Sequence, residues 1–357
     1  MSSRPAETVE RYLTLDAFRG FIMFLLISHG FGLGELGDHP TLGGLARQFE
    51  HVAWEGGVFW DMVQPAFMFI VGAAMPFAFA IRSRQGASFG DQAWHVAIRS
   101  CKLIVVSQII MSVSKGDAHF QLINVLCQIA FAYFLTFWIL QLEWRWQAAA
   151  AMGLLIAHTA LFFLFPGPDG AFSREGNIGQ TIDQAILGYN YPGLYVTINF
   201  MTSAVTTLIG AWTGQLLLAR KSRNETLLKL VEGAVVSFIL VFAFWALVPA
   251  VKRIWTATFT FYSAGWVLLM LLAFYFAIEV LGYRRWAFPF VVVGANSIFI
   301  YCADIMLRGW LDSSISVFTG GYAFAGSLAP VLRSCTVLAV LWYFCYWLYR
   351  RRVFVKV

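Results

Sequence analysis

The chain has 357 residues, of which 59% are hydrophobic and only 12% charged, against roughly 25% charged in a soluble domain. Apolar runs close to the ~20 residues that a bilayer core requires recur along it, which excludes an ordinary soluble fold. The net charge of +6 does not mark a nucleic-acid-binding protein, because the basic residues cluster at the ends of apolar runs, where topology signals belong.

In chain order, the pattern predicts ten membrane spans, at about 18–36, 58–81, 95–113, 121–142, 147–165, 195–218, 226–249, 256–281, 287–308 and 329–349. The expected fold is an all-α polytopic bundle forming one membrane domain over residues 1–357. The first span follows "RYLTLDAFRG" with no small-residue cleavage site after it and is expected to be retained rather than cleaved. The third is the weakest of the ten, since Arg99 and Lys102 lie within it. Residues 166–194 are rich in Gly, Pro and Asn and are expected to be a loop with at most one short helix. All five cysteines lie in apolar runs, so no loop disulfides are expected.

Ten spans place both termini on one side. Arg4, Arg11, Arg82, Arg84, Arg145, Arg220, Lys221, Arg223, Arg284, Arg285, Arg350, Arg351, Arg352 and Lys356 fall on that side. Arg47, Lys115, Arg174, Lys252, Arg253 and Arg308 fall on the other. The positive-inside rule then puts the termini in the cytoplasm, and His51 and Asp61 toward the far side.

An ionisable group inside a span costs about 2.5–3.5 kcal/mol on insertion scales and needs a partner or a wet cavity. His29, Asp61, Arg99, Lys102, Glu232, Glu279 and Asp304 are such groups. Asp16 and Arg19, three apart at the first span's edge, fit either a helix-end ion pair or an anion contact. Glu232 and Glu279 lie near interfaces, where they reach water. His51 and Asp61 carry a sharper reading. Histidine exchanges a proton near neutral pH, and a carboxylate on one ring nitrogen fixes its tautomer. Gly56 and Gly57 permit the tight turn that folds the histidine over the helix bearing Asp61. The structural alternative is an interfacial histidine beside a helix-start carboxylate. Asn124 and Gln128, and Asn296 with Ser297, are either helix–helix contacts or site residues. Lys252, Arg253 and Trp255 read as a basic, aromatic entrance on the side of His51, or as interfacial anchors.

Six stretches occur in order: "LDAFRG" (15–20), "HVAWEGGVFWDMVQPAFMFIVG" (51–72), "NVLCQIAFAYF" (124–134), "TSAVTTLIGAWTGQLL" (202–217), "KRIWTATFTFYSAG" (252–265) and "VVVGANSIFIY" (291–301). Together they resemble the heparan-alpha-glucosaminide N-acetyltransferase family and its bacterial relatives, from about residue 12 to 310. The resemblance implies an integral protein of the bacterial inner membrane. Such a protein passes an acetyl group from cytosolic acetyl-CoA, as co-substrate and with no metal, to a sugar amine on the other side. It places the active-site histidine at His51 and the following aspartate at Asp61. Trp54, Gln128, Lys252, Trp255, Asn296 and Ser297 are the implied acceptor contacts. The phosphates of acyl-CoA need cations, for which Arg19, Arg99 and Lys102 are the candidates.

The chain departs from the family pattern where Gln128 is followed by Ile129 rather than Arg, where "YNYPGLY" stands for "DPEG", and at His29, near a family Asn or Asp. The lysosomal enzyme's luminal domain and extra first span have no counterpart in this reading. His51, Asp61, Asn124, Gln128, Asn296 and Ser297 are expected to converge on one cavity. Covalent acyl transfer through His51 stays open beside general-base catalysis. The rival reading is a transporter using the same groups, for which internal repeats and broken helices would speak. Membrane lipids and a sugar or glycan are the expected partners, and the oligomeric state is open, a homo-oligomer included.

Overall fold

A computed structural model describes residues 12–118 and 120–355, and among these every extended element is a helix. Arg4, Arg11 and Lys356 of the charge count lie outside the described residues. The helices are α1 (Leu13–Ile27), α2 (Gly43–Ala46), α3 (Val63–Arg84, entered through a 3₁₀ turn at Phe59–Met62), α4 (Phe89–Lys115), α5 (Val125–Ile139), α6 (Trp144–Leu164) and α7 (Ile178–Leu187). They continue as α8 (Phe200–Leu218), α9 (Arg223–Phe244), α10 (Ala257–Tyr275), α11 (Phe288–Ala295), α12 (Ser297–Thr319) and α13 (Ala329–Arg350). Helix starts follow the local chemistry. Ser88, Asn124, Asn177, Ser222 and Thr256 each accept a first-turn N–H of α4, α5, α7, α9 and α10. The expected short helix in the long loop is α7.

Six helical segments of the described residues are long and apolar enough to cross a membrane, or seven with α1 and the 3₁₀ turn after it, bent by 48°. One of the six, Ser297–Arg350, is itself a hairpin: α12 returns as α13, with Arg333 reaching Asp312 at 3.0 Å. Two expected spans are corrected. The first does not run on to residue 36, because Gly30, Phe31 and Gly32 adopt left-handed backbone and end the helix. The ninth is broken at Asn296 (φ −127°, ψ 39°), which separates α11 from α12.

The centre of the bundle is the contact between α3 and α8, which run in the same direction. A Cβ on Gly72 would lie 1.8 Å from the Thr207 carbonyl oxygen, and one on Gly210 would lie 2.0 Å from that of Phe69. The backbones therefore touch. α10 joins the same direction, with Trp255 beside Thr202 and Thr206 of α8. So does α5, with Gln128 beside Gln64 and Phe137 beside Phe79. α4 runs the other way, as its contacts from Ser100 to Ala130 and from Gln108 to Gln121 require.

The bundle thus has two distinct ends. One carries Arg82 and Arg84 at the close of α3, Arg220 and Lys221 after α8, and Tyr12 before α1. α13 ends there too, because its start packs at Gly32, beyond the far end of α1. At the other end the starts of α3, α5, α8 and α10 meet the loops 43–58, 188–199 and 245–256. His51 and Asp61 sit at this second end.

Candidate active site

The loop after Phe49 is drawn across the bundle by backbone bonds that its glycines permit. Gly56 takes φ +99°, a left-handed value suited to glycine. Its N–H donates to the Ala250 carbonyl at 2.8 Å, and Glu55 pairs with Val251 as an isolated antiparallel bridge. Tyr262 of α10 donates its hydroxyl to the Gly57 carbonyl at 2.9 Å. The turn 251–255 before α10 is thereby fixed against the loop of His51, which sequence spacing alone does not disclose.

Asp61 lies in the 3₁₀ turn that opens α3 and has 1% side-chain exposure. One carboxylate oxygen accepts His51 Nδ1 at 2.7 Å and Lys252 Nζ at 3.2 Å. The other faces the N–H groups of Val58 at 3.3 Å and Val52 at 3.4 Å. Four donors satisfy the carboxylate, which is what an ionised group in this position needs. Lys252 Nζ also stands 3.3 Å from His51 Nδ1. An ammonium and an Nδ1–H are both donors, so the shared oxygen of Asp61 holds both. This assigns the ring proton to Nδ1 and leaves the lone pair on Nε2. The imidazole is 44% exposed, and among the described residues no protein group bonds Nε2. A base anchored from behind with its free nitrogen outward can take a proton from an arriving nucleophile.

The expectation of an open, basic entrance at 252–255 is corrected. Lys252 is 4% exposed and Trp255 fully buried. Trp255 takes φ +47°, its Nε1 donates to Thr206 Oγ1 at 3.3 Å, and its carbonyl accepts from Thr202 at 2.6 Å. The ammonium has exchanged water for Asp61, and the indole has become core. Arg253 alone points to the loop, bonding the Gly193 carbonyl and lying over Tyr195. Trp54 donates its Nε1 to the Phe172 carbonyl at 3.0 Å, tying the histidine loop to the long loop.

Gln128 is buried, accepts from Gln64 Nε2 at 2.6 Å and keeps its own amide nitrogen unpartnered among the described residues. Asn124 spends its side-chain oxygen on capping α5. Asn296 does not join this group. Its Nδ2 donates to the Val353 carbonyl at 3.1 Å and its oxygen accepts Val355 N–H at 2.9 Å, which places it at the basic end. Ser297 bonds the Gly294 carbonyl at 2.9 Å. The expected single cavity is therefore divided: a broken helix exposes backbone groups, and Asn296 holds the segment after α13 against that break.

Arg19 pairs with Asp16 at 2.7 Å on α1. Arg99 lies over the Tyr133 ring at 4.7 Å, and Lys102 is exposed one turn further along α4. Sequence reasoning missed Gln64, Tyr262 and the partnership of Lys252 with Asp61. Spacing also leaves His29 and Asp304 unconnected, whereas His29 Nε2 meets Asp304 at 3.0 Å and Arg308 Nε meets it at 2.7 Å. The available signal was that each group inside a span needs a partner. Which partner is a tertiary matter. Among the described residues no three His, Cys, Asp or Glu side chains are placed to hold a metal ion.

No protein-family model matches the chain. It is 23% identical over 414 positions to heparan-alpha-glucosaminide N-acetyltransferase of Homo sapiens, covering 97% of this chain and 60% of that protein. For the Mus musculus protein of the same name, identity is 23% over 417 positions, covering 98% of this chain and 61% of the other. The chain thus spans about 60% of the length of the curated relatives it matches. Over nearly all its own length, it is a distant relative of the heparan-alpha-glucosaminide N-acetyltransferases.

Proposed function

We propose that the chain is a membrane-embedded acyltransferase that moves an acetyl group from acyl-CoA, arriving at the basic end, to a sugar amine or hydroxyl at the His51 end. The observation that carries this reading is the free Nε2 of His51, held outward by the bond of Nδ1 to Asp61 at 2.7 Å. The names of the two relatives support an N-acetyltransferase and a glucosaminide acceptor for those proteins. His51 Nε2 takes the proton of the acceptor nitrogen or oxygen as that atom bonds to the thioester carbonyl carbon. The carbon–sulfur bond then breaks, and the same proton passes to the leaving thiolate, so His51 ends neutral. Asp61 stabilises the imidazolium between the two steps. Lys252 and Trp255 position this pair from the turn before α10. Trp54 and Gln128 are assigned to the acceptor, and Asn296 and Ser297, by their place at the basic end, to the donor side. Arg19, Arg99 and Lys102 are assigned to the donor's phosphates.

The orientation that accords with the charge count has ten crossings, the ninth made by α12 alone, because α11 runs back toward the basic end, with Phe290 on Phe21 and Phe24 and Gly294 at Asp16. The basic end then lies in the cytoplasm and His51 faces the periplasm of a bacterial inner membrane. The test is acyl transfer by the protein in liposomes, from acetyl-CoA to an amino sugar. His51→Ala is expected to lose about 10²–10⁴-fold in turnover while keeping its fold and its affinity for acetyl-CoA. A folded His51→Ala protein with wild-type turnover would end the mechanism. The helix breaks at residues 28–32 and at Asn296 favour a second reading, a transporter. Amino-sugar flux across the liposomes without acetylation would select it.

A further inference from the structure

Far from His51, at the basic end, α3 and α4 are joined by a short turn and meet beside it through side chains, Gln92 Nε2 donating to Ser83 Oγ at 3.1 Å. His95, Arg99 and Lys102 follow at intervals of four and three, which puts them on one stripe of α4. Arg82, in the last turn of α3, closes the stripe, with a guanidinium nitrogen 2.5 Å from His95 Nε2. The charges of Arg82, Arg99 and Lys102 all act on the His95 ring. No carboxylate answers them: among the described residues none of the three makes an ion pair. Asp91, the acid nearest along α4, is spent on the helix cap, accepting Ser88 N–H at 2.9 Å and Ser88 Oγ at 2.8 Å.

Two buried polar atoms beside the stripe are also unsatisfied. Arg99 Nε has no hydrogen-bond partner, and neither has the hydroxyl of Tyr133, which is 1% exposed and lies beneath the Arg99 guanidinium. Unpaired cations and orphaned donors in a membrane segment are costly one by one, and together they repel. A polyvalent anion with several acceptor oxygens resolves all of these conflicts. A phosphate does so best, because guanidinium groups fit its geometry in pairs.

We propose that Arg82, His95, Arg99 and Lys102, with the Tyr133 hydroxyl, form a phosphate-ester-binding site. Two molecules bring that chemistry to a membrane interface: the nucleotide end of CoA and the headgroup of an anionic phospholipid. Assigning the site to CoA rests on the acyltransferase reading; the site itself does not.

The test uses the full chain in nanodiscs. CoA is titrated calorimetrically, and retained phosphatidylglycerol is counted by native mass spectrometry. Arg82→Gln, Arg99→Gln and Lys102→Gln are compared with Arg145→Gln, which removes an exposed charge already paired with Glu143 at 3.1 Å. Loss of a charge-assisted hydrogen bond is expected to weaken ligand binding about 10- to 100-fold, and Arg145→Gln to change nothing. Arg99→Lys, which keeps the charge, should recover part of the loss. Weakened CoA binding with lipid unchanged assigns the site to the donor, and the converse assigns it to lipid. Well-folded variants that hold both ligands as the wild type does would overturn the site. A wild-type protein that binds CoA yet transfers no acetyl group would overturn the proposed reaction and leave the site standing.

Discussion

Lys252 and Asp61 are a buried ion pair whose two members are not equivalent. Removing Lys252 leaves Asp61 with His51 and two backbone N–H groups, so Lys252→Met is expected to fold with a modest loss. Removing the charge of Asp61 leaves a buried ammonium facing an imidazole. Stranding a buried charge costs about 3–5 kcal/mol, so Asp61→Asn should lower thermal stability by more than Lys252→Met. The double variant Asp61→Asn/Lys252→Met should be more stable than Asp61→Asn alone. Thermal unfolding of the three in one detergent checks the order, and equal effects would mean that Lys252 is solvated rather than paired. The carboxylate and the histidine were legible in the sequence, because spacing and glycines suggested that they meet. The lysine was not, because it is 191 positions away from Asp61 and its burial follows from how α10 begins.

At the scale of elements, glycines decide where helices touch. An added Cβ at Gly72 or Gly210 meets a backbone carbonyl at 1.8 or 2.0 Å, and backbone cannot rotate away. Overpacking costs about 1–3 kcal/mol where side chains can yield, so Gly72→Ala and Gly210→Ala should reach or exceed the top of that range. Gly153→Ala and Gly309→Ala meet nothing within 4 Å and should be neutral, or stabilising by up to about 1 kcal/mol through helix propensity. Melting of the four variants by fluorescence-detected size exclusion separates the pairs. The long loop offers a pH test. Burial pushes the Asp183 carboxyl of α7 above the usual carboxylate range, against the Thr197 contacts that lower it. The folded state therefore binds that proton more tightly than the unfolded one. Its contribution is present below the ordinary value near 3.8 and is lost as pH rises through the folded value. The stability of Asp183→Asn relative to wild type should accordingly grow from about pH 4 upward, the pH-independent cost of the amide cancelling in the comparison. A difference that stays flat with pH would show that the carboxyl is solvated.

For the whole molecule the question is which end faces which compartment. Gln85 lies in the exposed turn at the basic end, and Asp169 in the exposed loop at the His51 end. With an impermeant maleimide on intact cells, Asp169→Cys should label at once and Gln85→Cys only after lysis, over the background of the native cysteines. The reverse pattern would invert the orientation, and labelling of both on intact cells would break the count of ten crossings.

Composition and apolar run length determined by themselves that this chain is a helical membrane protein, because a bilayer leaves the backbone few other ways to satisfy its polar groups. Local chemistry likewise set the helix starts at Ser88, Asn124 and Thr256, since a cap needs only its own next residues. The tertiary structure decided the rest. The breaks at residues 28–32 and at Asn296 lie inside apolar runs that read as continuous, and the segment after α13 satisfies the second. The sequence named ionisable groups one at a time, but a buried charge is stable only with its partner. The pairings of Lys252 with Asp61, His29 with Asp304 and Arg82 with His95 each join different helices or loops. Such pairings are fixed by how the helices and loops pack against one another, which no single stretch of sequence encodes.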